Sequence, residues 1–215
     1  MAAPLTTTHY ALLCLLSARE WTAYELVGQM ERSVGAVWPR AQSNLYADLK
    51  RLATDGMADA VTEHIGRRPR TTYRITRHGR ALLGEWLSSP GAAPSFECEA
   101  LLKLAFAPST TKEATIAQLD VITAHAEARL ALGRRLGHEH ADNDGTGPLP
   151  ERLHVNAVMW RYLWDMHHAM ARWARWAKAE IEQWPDTQDS PQMRRRGLTA
   201  LQAALGDERV ADQMR

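Results

Sequence analysis

Long apolar runs are missing from this chain of 215 residues. No segment approaches the ~18 consecutive apolar residues that a membrane-spanning helix needs, and the N-terminus has neither the basic start nor the apolar stretch of a signal peptide. A cytoplasmic location is therefore expected, with no membrane partner. Cysteine is scarce: Cys14 and Cys98 are too few for a disulfide framework, and their apolar neighbours suggest buried, reduced thiols with no chemistry to assign. A Gly-rich nucleotide loop, a GxSxG elbow and paired carboxylates in a convincing context are also missing, so no catalytic residue is assigned and an enzyme is not expected. His138, Glu139 and His140 resemble a metal tract only superficially, because positions two apart on a helix diverge and no partner stands at suitable spacing. Asp142 to Asp144 lacks the rest of a calcium loop. Neither metal nor cofactor is expected. Beyond the DNDGTGP stretch at 142–148, read as a loop between helices, there is no low-complexity tract and no internal repeat.

What is present is a mostly helical pattern. A hydrophobic share of 45% suits a folded protein, and the net charge of +1 conceals a local excess. Between Gly66 and Arg80 stand Arg67, Arg68, Arg70, Arg74, Arg77 and Arg80, with no acidic residue. Thr7 to Leu16 has the apolar density of a short buried helix. Thr22 and Glu25 form a capping box that opens a second helix running to about Arg32. After Gly35 and Pro39, Leu45, Leu49 and Leu52 share one face of a third helix, while Gln42, Ser43, Asn44, Tyr46 and Lys50 fall elsewhere and point outward. Asp55-Gly56 supplies its stop. Ala58 to Ile65 and Thr71 to Ile75 read as two strands joined by a GRRPR tip. Thr76 then caps a helix with an apolar side of Leu82, Leu83, Trp86 and Leu87, ending near Ser88.

Helix, helix, helix, basic hairpin, helix is the order of a winged helix-turn-helix, and duplex DNA is the partner that suits it. Clustered arginines gain affinity for phosphates by releasing condensed counterions. Amide and hydroxyl side chains on the third helix can read base edges in the major groove. An arginine hairpin suits the flanking backbone or the minor groove.

The blocks YALLCLLS, AYELVGQM, SNLYADLKRLATDGM and GRRPRTTYRITRHGRALLGEWL, in this order, resemble the signature of PadR-type transcriptional regulators across nearly all of residues 9 to 87. The last block is the most specific. The resemblance implies that Tyr24, Ser43, Tyr46, Lys50 and the wing arginines Arg67, Arg68 and Arg70 face DNA, and that the protein is a repressor. Ala23 stands where that family usually has Gly, a change compatible with a helical start.

Past a Gly/Pro joint at 91–94, Ser95 can cap a helix through FECEALLKLAFA, a block similar to the one that starts the helical C-terminal domain of PadR-type chains. Thr110 and Glu113 form a further capping box for a helix from about Lys112 to Gly137, with Ile116, Leu119, Ile122, Ala126 and Leu130 on one face. The helix from Glu151 to about Trp184 has two apolar sides. Val155, Met159, Tyr162, Met166, Met170, Trp173, Ala177 and Trp184 form one; Trp160 and Trp164, with Leu153, Ala157 and Ala171, form the other, flanked by His167 and His168. One side is expected to pack within the subunit and the other against a partner subunit or a ligand. Trp160, Trp164, His167 and His168 are the candidate site for an aromatic or cationic small-molecule effector, the alternative being tryptophans in a dimer core. Ser190 and Pro191 start a last helix, whose MRRRG run reads as solvated. The expected architecture is mainly α: a winged helix-turn-helix over residues 1–90 and an α-helical dimerisation and effector-sensing domain over 91–215. The alternative is an interaction module on a winged-helix scaffold that has lost DNA binding.

Overall fold

The computed structural model describes residues 4–65, 68–142 and 150–213, and their side chains except at 36, 64, 65, 68, 69, 150 and 207–213. Most of the expected loop at 142–148 and the Gly66-Arg67 pair thus lie outside the described residues. The chain divides into two compact units, Met1–Pro94 and Ser95–Arg215.

The first unit is built on α1 (Thr7–Ala18), whose Leu12, Leu13, Leu15 and Leu16 are all buried. Around it pack α2 (Ala23–Arg32), α3 (Gln42–Thr54) and α4 (Arg77–Ser88). The Thr22–Glu25 capping box forms: the Glu25 amide donates to Thr22 Oγ1 at 3.2 Å, and Glu25 Oε2 accepts from the Thr22 amide at 3.0 Å. Leu45, Leu49 and Leu52 seat α3 on the core. The helix stops at Asp55, and Gly56 takes the left-handed conformation, φ 74°, that lets the chain turn into the sheet.

The sheet has three antiparallel strands in the order β1-β3-β2 rather than the two expected. β2 spans Ala58–Ile65, and β3 starts at Arg68, three residues earlier than the sequence suggests, and ends at Ile75. The additional strand, β1 (Trp21–Thr22), is too short to leave an alternating pattern; it is recruited by pairing Trp21 with Tyr73. Thr76 caps α4 by accepting from the Gly79 amide at 3.0 Å. Gly79 is required there, because a Cβ would lie 2.2 Å from the Met57 carbonyl oxygen. Leu83 is buried and Trp86 stacks on Tyr10 at 4.8 Å, but Leu87, expected on the apolar side, is exposed.

The second unit is an antiparallel pair, α6 (Lys112–Asp142) against α7 (Leu153–Glu182), with α5 (Glu99–Ala105) on α6 and α8 (Pro191–Gln213) following. α6 outruns the expected end at Gly137, and its cap is Thr111 rather than Thr110: the Thr111 hydroxyl accepts from the Ala114 amide at 3.1 Å. The N-cap of α5 is Cys98 instead of Ser95, and Cys14 and Cys98 are half-buried rather than buried. α6 presents Thr115, Leu119, Ile122, Ala126 and Leu130; α7 answers with His167, Ala171, Ala174, Ala177 and Ile181, the three alanines letting the axes approach closely. Lys112 Nζ donates to the Glu182 and Trp184 carbonyls, both at 2.7 Å, where the C-terminal end of α7 favours a cation. Among the described residues no helix is long and apolar enough to cross a membrane.

Candidate nucleic-acid interface

On α3 the buried leucine side forces the polar side outward. Gln42, Ser43, Asn44 and Lys50 are exposed over the first two and a half turns. Tyr46 departs from the outward position expected of it: it is half-buried and packs on the core. Tyr24, at the start of α2, is 82% exposed, as its expected outward position requires.

The wing supplies cations. Arg67 lies outside the described residues, and of Arg68 only the backbone is described, pairing with Ile65. Arg70 is exposed, with Glu25 at 3.9 Å and Glu63 opposite it in the strand register. Arg74 meets Asp59 at 3.3 Å and Glu20 at 3.7 Å. The stretch without acids in sequence is therefore supplied with carboxylates by tertiary structure, which spaces the arginines and lets the wing exist without self-repulsion. The Thr22 hydroxyl and amide hold the Glu25 carboxyl below its ordinary range, with Arg70 adding to the effect, so this charge persists at neutral pH.

Two residues not singled out in the sequence belong to this surface. Arg40, ahead of α3, stacks on Trp38 at 4.2 Å. Glu31, in the last turn of α2, accepts a hydrogen bond from Gln42 Nε2 at 2.7 Å. Neither carries a local signal, since an isolated Arg or Glu in a helical pattern reads as a solvated charge.

In the second unit, Trp160 and Trp164 stack at 5.0 Å. They lie over Gly133 and Gly137 of α6, with Trp160 Nε1 donating to the Gly133 carbonyl at 3.2 Å. His168 meets the edge of Trp164 at 4.7 Å, and Arg134 lies over its ring at 5.6 Å. His167 is buried beside His125 and bonds the Leu163 carbonyl, so it does not flank the tryptophans at the surface as expected. The tryptophan side of α7 packs on α6, and Met170, Trp173, Ala177 and Trp184 of the other expected side join the same clusters, so the two sides are not cleanly divided between α6 and the exterior. The opposite side leaves Val155, Val158 and Tyr162 exposed. An open groove of about 790 Å³ runs between α7 and α8, lined by Trp173, Trp176, Arg195 and the small residues Ala200, Ala203 and Ala204. The MRRRG run is only partly solvated: Arg194 pairs with Asp189, and Arg196 with Glu180 at 2.8 Å.

A buried scaffold helix, a helix-turn-helix with an exposed polar face on its third helix, and a basic hairpin ahead of a closing helix define a winged helix-turn-helix domain. Residues 12–85 match the model of the transcriptional regulator PadR-like family. A probable transcriptional regulator of Mycobacterium tuberculosis is 30% identical over 83 residues, 38% of this chain and 43% of that protein. The negative transcriptional regulator PadR of Bacillus subtilis is 29% identical over 79 residues, 36% of this chain and 43% of that one. The chain thus matches less than half the length of these curated relatives. Among solved structures, Bacillus subtilis PadR in complex with operator DNA is similar at a TM-score of 0.69 and 21% identity, over 83% of this chain and 99% of that one. The Vibrio cholerae virulence activator AphA gives 0.65 and 23%, over 82% and 98%. Bacillus subtilis PadR in complex with p-coumaric acid gives 0.61 and 18%, over 86% and 100%. These structural likenesses extend the shared fold beyond the N-terminal unit.

Proposed function

We propose that this protein is a homodimeric transcriptional repressor that binds a palindromic operator in the cytoplasm and is released by a small-molecule effector. The observation that carries the reading is the division of α3 into a leucine side locked in the core and an exposed side of Gln42, Ser43, Asn44 and Lys50. That helix is placed to enter a major groove. Tyr24 and the wing residues Arg67, Arg68 and Arg70 grip phosphates on either side, and Tyr46 supports α3 from its inner flank while its hydroxyl reaches the backbone.

Dimerisation is supported by the surfaces of the second unit. Leu198, Leu201 and Leu205 form an exposed ridge on α8, and the α7–α8 groove beside it is floored by alanines, so a ridge of one copy complements a groove of another. Two copies would set their α3 helices about one DNA turn, ~34 Å, apart. Repression follows the negative regulator to which the N-terminal unit is similar. The effector is assigned to the Trp160–Trp164 stack with His168 at its edge, the buried His167 acting from within. The reading is supported by Arg134 lying 5.6 Å over the Trp164 ring and by the 37% exposure of Trp160, which leaves a ring face for a planar partner.

Selection of bound duplexes from a random pool at two salt concentrations tests the proposal. Enrichment of a palindrome, weaker at high salt, is expected. An absence of enrichment at either salt favours an interaction module that has kept the fold without the DNA.

A further inference from the structure

Glu31 occupies an unfavourable place. It lies in the last turn of α2, where the helix dipole disfavours an acid, and next to the first turn of α3, where a negative charge opposes DNA phosphates. Its carboxylate is exposed, so burial does not explain it. What it does is hold Gln42: Gln42 Nε2 donates to Glu31 Oε1 at 2.7 Å across the helix-turn-helix.

Gln42 is the first residue of α3, after an N-cap, Ala41, that offers no capping side chain. An exposed glutamine amide ordinarily exchanges between two orientations that interchange its donor and acceptor ends. Beside a carboxylate one of these brings two acceptor oxygens together, and only the orientation with the N–H toward α2 is stable. One N–H is then committed to Glu31. Gln42 keeps its second N–H and its Oε1, a donor and an acceptor side by side, and this pair matches the N7 acceptor and N6 donor on the major-groove edge of adenine.

We propose that Glu31 is a positioning residue that fixes the Gln42 amide for adenine and so sets one base preference of the operator. This rests on the DNA-reading proposal above. Arg40, the nearby cation, is held on the Trp38 ring and donates to the Pro39 carbonyl at 2.6 Å. The negative charge of Glu31 therefore costs affinity for DNA in general while sharpening what α3 reads.

The test is duplex selection from a random pool with the full-length wild type, Gln42→Ala, Glu31→Ala and Glu31→Gln. Gln42→Ala identifies the position that Gln42 reads, expected to be an A·T pair. Glu31→Ala should lose preference at that same position, keep the rest of the motif, and bind random DNA roughly threefold more tightly at low salt, since one repulsive charge is gone. Glu31→Gln keeps an acceptor oxygen without the charge. It should retain most of the preference at that position while showing the same gain on random DNA. Circular dichroism melts should leave all three variants folded, as both side chains are exposed. A wild-type motif left unchanged in Glu31→Ala overturns this inference alone, as does loss of the preference in Glu31→Gln to the same extent. A wild type that enriches no motif overturns the inference together with the DNA-reading proposal.

Discussion

His9 sets one buried side chain of α1 against α3. It is buried in the first turn of α1; its Nδ1 accepts from the Thr6 amide at 3.1 Å, which leaves the proton on Nε2, 3.4 Å from Asp48 Oδ1 on α3. That second contact is too long for a good hydrogen bond. Burial lowers the His9 pKa from the ordinary 6.5, against the opposing pull of Asp48. In the second unit burial also lowers His167, against the pull of its bond to the Leu163 carbonyl, with Arg129 and His125 of α6 reinforcing the burial. A histidine held neutral in the fold takes up a proton only on unfolding, so its contribution is complete above 6.5 and is lost as pH falls below it. The melting temperature should therefore drop between about pH 7.5 and 5.5, and a His9→Gln/His167→Gln variant should show a shallower drop. An equal slope in both proteins would remove these two histidines as the cause. The burial that makes them titrate this way was not readable locally: His9 follows three threonines, and only packing showed that it faces inward.

At the scale of elements, α4 contains its own control. Gly79 and Gly84 look alike in sequence, two glycines in one amphipathic helix. A Cβ at Gly79 would lie 2.2 Å from the Met57 carbonyl oxygen, whereas one at Gly84 would meet nothing within 4 Å. Gly79→Ala should destabilise by about 2 kcal/mol or more through overpacking against backbone. Gly84→Ala should stabilise by roughly 0.5–1 kcal/mol, because Ala is the better helix former. Denaturant titrations of the two variants check this, and the same sign for both would contradict the packing. The wing makes a second prediction at this scale. Replacing Arg67, Arg68 and Arg70 together by Ala should weaken binding to all DNA and flatten its salt dependence, as expected of phosphate contacts. A salt slope equal to that of the wild type would take these residues off the backbone. Helix starts at Thr22 and Thr76 were legible because capping is local chemistry. The β1 strand, the longer β3 and the Thr111 cap were not, since each depends on a neighbour distant in sequence or on one of two adjacent threonines.

At the scale of the molecule, the two apolar sides of α7 are not cleanly divided. Trp160, Trp164 and Ala171 close on α6 together with Met170, Trp173 and Ala177 of the other side, whose Val155, Val158 and Tyr162, like the α8 leucines, are exposed. On the proposed dimeric reading, Leu201→Asp should give a monomer by sedimentation velocity. It should also bind a palindromic duplex at least roughly tenfold more weakly than the wild type, because two linked half-sites add avidity. Unimpaired dimers would move the interface off α8.

The sequence by itself determined the winged helix-turn-helix order, the caps at Thr22 and Thr76, the leucine side of α3 and the apolar face of α6, because these follow from periodicities and hydrogen bonds within a few residues. Tertiary structure alone decided which residues of α7 close on α6, that Glu20, Glu25, Asp59 and Glu63 temper the wing arginines, and that Glu31 holds Gln42. Each of these joins residues that the chain keeps apart, and only packing fixes the distance over which charge and hydrogen bonds act.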